Sequence, residues 1–171
     1  MAKKNLGFTL VELIVVIVIL GVLAVTVVPK LLNVQSNANI TVIESAVSAI
    51  KTAADLFKLK TLTTGNELTA EVEFEGVKGS NYNPWAATAK GTSYSSDYSS
   101  PPEIFEAAGL DVNDWAYRIY TPSNYSVVAA PRNVLSKAEP TAIEVKESNC
   151  YFEYLWSTTG EPTLTINKAG C

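Results

Sequence analysis

The chain contains no histidine, which removes the side chain that most often serves as a general base or a metal ligand. Cysteine is scarce: Cys150 and Cys171 stand alone, with no Cys-x-x-Cys pair and no metal-ligand spacing. No glycine-rich phosphate loop follows a strand pattern. Basic clusters are missing beyond the first four residues, and a net charge of −4 opposes the attraction on which nucleic-acid binding depends. No catalytic constellation remains, so no enzyme, cofactor, metal or nucleic-acid partner is expected. Acidic residues are scattered. Glu71, Glu73 and Glu75 recur at period two, face one side of a strand pattern and make only a weak metal candidate.

Long apolar runs number one, and it organises the chain. From Phe8 to Val28 the only ionisable residue is Glu12. As a helix this run rises about 1.5 Å per residue to roughly 30 Å, the thickness of a bilayer's hydrocarbon. It is apolar all round, so a lipid or fully buried protein environment is expected. A carboxyl group in hydrocarbon costs on the order of 3 kcal/mol, and Glu12 therefore needs a partner or a proton. Gly21 and Pro29 are the weak points of the helix, because proline removes the amide that would bond the Val25 carbonyl. A bend is one reading of this pair; a segment able to unwind locally when subunits pack is the other.

Ahead of the run lies Met1–Gly7, short and basic through Lys3 and Lys4, which places the N-terminus on the cytoplasmic side. No Ala-x-Ala cleavage site follows the run, so it is not an ordinary secretory leader, and an uncleaved signal anchor is one reading. The segment Lys3-Lys4-Asn5-Leu6-Gly7 followed by Phe8-Thr9-Leu10-Val11-Glu12 resembles the class III leader and N-terminal segment of type IV pilins and pseudopilins. The resemblance implies that a dedicated membrane peptidase cuts between Gly7 and Phe8, that Phe8 is then N-methylated, and that Glu12 is the assembly glutamate. Cleavage also creates an ammonium at Phe8, one helical turn from Glu12, and two costly charges become tolerable when paired. That pair can form within one subunit or between neighbours; the resemblance favours neighbours.

Beyond Pro29 the pattern turns amphipathic. Ile43, Val47, Ile50, Ala54 and Phe57 step by three and four, with Lys51, Asp55 and Lys58 toward the other face. No glycine or proline interrupts Lys30–Thr64, and Gly65 is a natural stop. Thr69–Val77 alternates as a short edge strand, and Asn81–Ser100 reads as a long Ser/Tyr-rich loop anchored by Trp85. Pro101–Gly109 has the proline start and glycine stop of a short helix. Strand patterns follow at Trp115–Tyr120, Tyr125–Ala130, Ala142–Lys146, Tyr151–Trp156 and Thr163–Asn167. The expected fold class is α+β: a long N-terminal helix, transmembrane in its first half and amphipathic in its second, packed on an antiparallel sheet.

The two cysteines are expected to form a disulfide, closing a loop of about 22 residues worth roughly 3 kcal/mol; two unpaired buried thiols are the alternative. A bridge implies an oxidising compartment. Within the type IV pilins of the short-leader class, Pro29-Lys30-Leu31-Leu32-Asn33 and the ending from Cys150-Tyr151 to Cys171 resemble the mannose-sensitive haemagglutinin pilins. The implied organisation is a cleaved leader at 1–7, a transmembrane and assembly helix at 8–28, the amphipathic continuation at 29–62, and a β-rich head with a C-terminal disulfide loop at 63–171. The implied function is a structural subunit of a type IV pilus that supports surface adhesion. Its partners are copies of itself, the prepilin peptidase and the assembly machinery; it starts as a single-pass inner-membrane precursor and ends in an extracellular pilus. The alternative is a pseudopilin of a type II secretion system, against which the Cys150–Cys171 loop and the long Ser/Tyr-rich loop count. A monomeric membrane-anchored binding domain is a third reading, requiring an uncut Gly7–Phe8 bond. Asn39-Ile-Thr41 and Asn124-Tyr-Ser126 match the N-glycosylation pattern, a weak signal by itself.

Overall fold

The computed structural model describes residues 9–88, 101–121 and 125–171, with the backbone alone over 26–33. Contacts divide it into two compact units, Met1–Ala38 and Asn39–Cys171. One helix, α1 (Leu10–Thr63), supplies elements of both. Its backbone stays helical through Gly21 and Pro29, the two positions expected to weaken it.

Among the described residues, no helix is long and apolar enough to cross a membrane. This corrects the expected transmembrane half of the helix and, with it, the single-pass inner-membrane precursor and the route to an extracellular pilus drawn from it. The described apolar side chains run from Leu10 to Val25.

In the second unit the helix buries Ile43, Ala46, Ile50, Ala53, Ala54 and Phe57 and leaves Lys51 and Asp55 exposed, the stripe its three- and four-residue spacing predicts. Leu56 departs from that stripe, at 61% exposed. Thr61 is buried, and its hydroxyl is satisfied there by donating to the Phe57 carbonyl at 2.8 Å. The helix then stops at Gly65, whose φ of 73° is open to glycine at little cost.

Two antiparallel sheets follow among the described residues. The smaller joins β1 (Val72–Phe74), β2 (Val77–Ser80) and β3 (Asn83–Pro84) in sequence order. The single edge strand expected over Thr69–Val77 is thus a hairpin, turning at Glu75 and Gly76, both with positive φ. Gly79 in β2 lies so close to the helix that a Cβ there would sit 2.5 Å from the Phe57 ring and 2.3 Å from the Asn83 carbonyl. The start of the expected long loop is ordered: β3 lies in it, and Trp85 donates to Ser80 Oγ at 2.9 Å. The rest of that loop, 89–100, lies outside the described residues.

Helix α2 (Glu103–Ala108) begins after Pro102 and ends on a left-handed Gly109, as expected. The larger sheet has the order β4 (Trp115–Tyr120), β5 (Ser126–Pro131), β6 (Tyr151–Leu155), β7 (Thr163–Asn167). One face meets the helix through Trp115, Tyr117, Ile119, Val127, Ala129, Phe152 and Tyr154. Phe152 is central to it, with the Trp115 ring 5.0 Å away edge-on and Phe105 of α2 at 6.0 Å.

Every residue of β5 is buried, so the sheet is covered on its other face too. The cover is α3 (Ala142–Glu147), which corrects the strand expected at Ala142–Lys146. Val145 of α3 is fully buried against Val128 and Ala130, while Ile143 is 69% exposed. On a strand these two would share a face; on a helix they point about 200° apart. Thr141 and Glu144 close the helix start as a capping box, each side chain bonding the other's backbone amide.

The small sheet is fastened to the large one by side chains. Tyr154 donates its hydroxyl to the Pro84 carbonyl at 2.8 Å, Trp156 its indole N–H to the Ser80 carbonyl at 3.1 Å, and Asn83 its amide to the Gly160 carbonyl at 3.0 Å. Burial pushes the Tyr154 hydroxyl far above the usual phenol range, so it stays a donor at any physiological pH.

Candidate functional site

Of the residues singled out in the sequence, Glu12 is the chemically unusual one. Thr9 is the residue before the helix, and it forms a capping box with Glu12. The Thr9 amide and hydroxyl donate to Glu12 Oε2 at 2.9 and 2.8 Å, and the Glu12 amide donates to Thr9 Oγ1 at 3.3 Å. The amide and hydroxyl of Thr9 hold the Glu12 carboxyl below its ordinary value. In the single chain Glu12 therefore already has partners, and it remains charged. The Thr-x-x-Glu spacing at 9–12 was a readable signal for this, independent of any family. Gly7 and Phe8 lie outside the described residues.

From Leu10 to Val25 the large apolar side chains are all exposed. A row of this kind marks an interaction surface rather than a finished one. Gly21 sits within it, and a Cβ there would meet nothing within 4 Å; its small size answers no packing demand inside this chain. The side chain of Pro29 is outside the description.

At the other end of the sequence, Cys150 and Cys171 form a disulfide with Cα atoms 4.8 Å apart, so the unpaired-thiol alternative is set aside. Cys150 is fully buried at the start of β6. Gly170 is required beside it: its amide donates to the Asn149 carbonyl at 2.8 Å, and a Cβ would stand 2.2 Å from the Ser148 carbonyl.

Several polar groups on the α3 side of the large sheet carry shifted pKa values, and their role is structural. Glu153, on the outer face of the large sheet, accepts from the Tyr120 hydroxyl and from Ser126 Oγ at 2.9 Å, and pairs with Lys146 of α3 at 2.9 Å. Burial raises its carboxyl, but these donors outweigh burial and leave it below the ordinary value. For Lys146, burial pulls the other way, and bonds to Tyr120 and Glu153 hold it above the ordinary lysine value. Burial, then the bond to Glu153, raises Tyr120. The charges are matched, and the cluster fastens α3 to the sheet. Nearby, the Lys137 ammonium and then Thr141 bring the exposed Glu144 down to about 2.

The acidic trio of the β1 region does not converge. Glu73 faces Lys78 at 3.9 Å and Glu75 bonds Lys60 at 2.8 Å, and among the described residues no group of three potential ligands could hold a metal ion. Asn39, the first of the two glycosylation patterns, is buried and hydrogen-bonded to Asn133 and Cys171. Asn124 of the second lies outside the described residues.

Residues 2–28 match the prokaryotic N-terminal methylation motif. The chain carries a prepilin-type N-terminus. It is similar to the type II secretion system core protein G of Pseudomonas aeruginosa, 44% identical over 57 residues, which cover 33% of this chain and 40% of the relative. The core protein G of Escherichia coli is 39% identical over 85 residues, covering 47% and 59%. A fimbrial protein of Pseudomonas aeruginosa is 42% identical over 53 residues, covering 31% and 34%. The chain spans about two fifths of the length of the first of these relatives. No solved structure matches the chain.

Core protein G recurs among the relatives of several bacteria. This overturns the specific likeness to type IV pilins and to the mannose-sensitive haemagglutinin pilins. The residues that carried that likeness, Pro29–Asn33 and the cysteine-closed ending, lie outside residues 2–28, which the methylation motif matches. What stands is a prepilin-style N-terminal methylation motif at residues 2–28, with a likeness to core protein G and to a fimbrial protein over the first part of the chain. The relatives themselves are a secretion-system core protein and a fimbrial protein.

Proposed function

We propose that this chain is a pseudopilin-type subunit of a type II secretion system, matured by cleavage between Gly7 and Phe8 and N-methylation of Phe8. In this reading residues 1–7 are the leader, 8–28 the assembly helix, 29–62 its amphipathic continuation and 63–171 the head. The observation that carries it is the exposed apolar row from Leu10 to Val25, inside a methylation motif whose relatives include core protein G. An apolar row left open on one chain is covered when parallel copies pack side by side. Glu12 then serves as the register mark: placed opposite the new Phe8 ammonium of a neighbour, it gains a counter-charge at one axial offset and keeps only its Thr9 bonds at others. Gly21 and Pro29 give the assembling helix its points of adjustment.

The head departs from the expectation for a pseudopilin through its Cys150–Cys171 bridge. Less than half of the chain aligns with the core protein G relatives, so the head is where its own specialisation resides.

The test is N-terminal sequencing of the protein from its native cells, with methylated Phe8 as the expected first residue, coupled to a deletion scored for release of type II secretion substrates. Glu12→Ala is expected to leave the head folded while abolishing secretion and the cross-linked ladder of multimers. A mature protein that begins at Met1, or a deletion that leaves secretion intact and removes surface fibres, would overturn the proposal.

A further inference from the structure

Asn39 is the first residue of the head unit and is buried at 6% exposure despite its polar side chain. Its amide donates to the Cys171 carbonyl at 3.4 Å, and its Oδ1 accepts from Asn133 at 2.6 Å. Just over one turn on, Glu44 is paired with Lys168 at 2.7 Å. Two of the holds on the start of the head's helix therefore come from the same four residues, Lys168–Cys171. That segment lies beyond the end of β7 and belongs to no helix or strand. What fixes it is the bond to Cys150, helped by the Gly170 amide on the Asn149 carbonyl and the Asn167 amide on Asn149 Oδ1 at 3.3 Å.

We propose that the Cys150–Cys171 bridge is a redox latch that holds the first turns of the head's helix, residues 39–46, through Asn39 and Glu44. Cys150 is sealed, whereas Cys171 is partly exposed, so a thiolate of a dithiol reductant attacks Cys171 Sγ. The S–S bond breaks, Cys150 leaves as a thiolate and takes a proton. The second thiol of the reductant then displaces Cys171, which is protonated in turn. The bridge gains two electrons and two protons, and the dithiol becomes its disulfide. Lys168–Cys171 then loses its covalent tie to β6 and keeps only hydrogen bonds such as that of Gly170 to Asn149. Asn39 loses the acceptor for its buried amide, and Glu44 loses its cation, while the β5–β6 pairing is kept. The grip of the head on its own helix is complete only where disulfides form, and a subunit becomes a finished part only after oxidation. This inference does not depend on which fibre or machine the subunit serves.

The experiment is amide hydrogen exchange of the full chain by mass spectrometry, oxidised and after dithiothreitol, with Asn39→Ala as the companion variant. Reduction is expected to accelerate exchange over 40–46 at least tenfold and to leave β5 and β6 unchanged. Asn39→Ala with the bridge closed reproduces most of that acceleration. Unchanged exchange over 40–46 after reduction overturns the latch. So does equal acceleration across β5 and β6, which would make the bridge a general staple, and so does an Asn39→Ala chain that stays protected. Should the variant fail to fold, the reduced wild-type chain decides between these outcomes by itself.

Discussion

The exchange of a strand for a helix at Ala142–Glu147 makes a sharp prediction, because the two structures assign opposite fates to neighbouring side chains. Val145 is fully buried against Val128 and Ala130, and Ile143 is 69% exposed. Val145→Ala removes two methyl-sized groups from that contact. At about 0.8 kcal/mol each for transfer, plus the cavity they leave, the loss is about 2 kcal/mol. Ile143→Ala touches nothing that folding buries and stays within about 0.5 kcal/mol. Urea unfolding followed by tryptophan fluorescence reads the difference, since Trp115 and Trp156 are both in the head core. With a slope of about 2 kcal/mol per molar, the Val145→Ala midpoint falls by about 1 M and the Ile143→Ala midpoint barely moves. Equal shifts for the two variants would mean that 143 and 145 share a face, and the helix assignment with its covered outer sheet face would be wrong.

Other outcomes follow from named contacts. Glu144 has a folded pKa of about 2 against 4.5 when unperturbed, so its contribution is full above about pH 4.5 and is lost as pH falls through about 2. Wild type and Glu144→Gln should accordingly differ in thermal midpoint near neutrality and converge at the acid end. Gly79→Ala places a methyl group inside the Phe57 ring and the Asn83 carbonyl and is expected to cost about 1–3 kcal/mol, read as a lowered urea midpoint. Thr141→Ala removes the cap of α3 for about 1 kcal/mol, with no change in secondary structure outside that helix by NMR.

What the sequence made legible was whatever repeats over many residues or is punctuated at both ends. The helix stripe from Ile43 to Phe57 spans four turns, and strands β4 and β7 are bounded by turn residues, so both could be read directly. α2 was marked by proline at its start and glycine at its end. α3 is only six residues long, and over so short a window Ile143 and Val145 look the same as a strand's alternate positions. The deciding cue was local: Thr141 and Glu144 at capping-box spacing, the same cue that Thr9 and Glu12 carry at the head of α1. The burial of Asn39 had no such cue, because it depends on Asn133 and Cys171, distant in sequence. As for the long apolar run, its composition spoke of a span, while the described helix does not meet the length and apolarity that crossing requires. The motif within it, not its greasiness, was the informative part.

Strand β5 is covered on both sides, by α1 through Val127 and Ala129 and by α3 through Val128 and Ala130, whereas β7 at the sheet's end exposes Thr163, Thr165 and Ile166. A randomised library of the head should therefore be intolerant at six consecutive codons of β5, with no alternation between permissive and forbidden positions. Along β7, two neighbouring strands away, most codons would accept polar replacements, and that is where a designer has room to graft new surface chemistry without disturbing the fold.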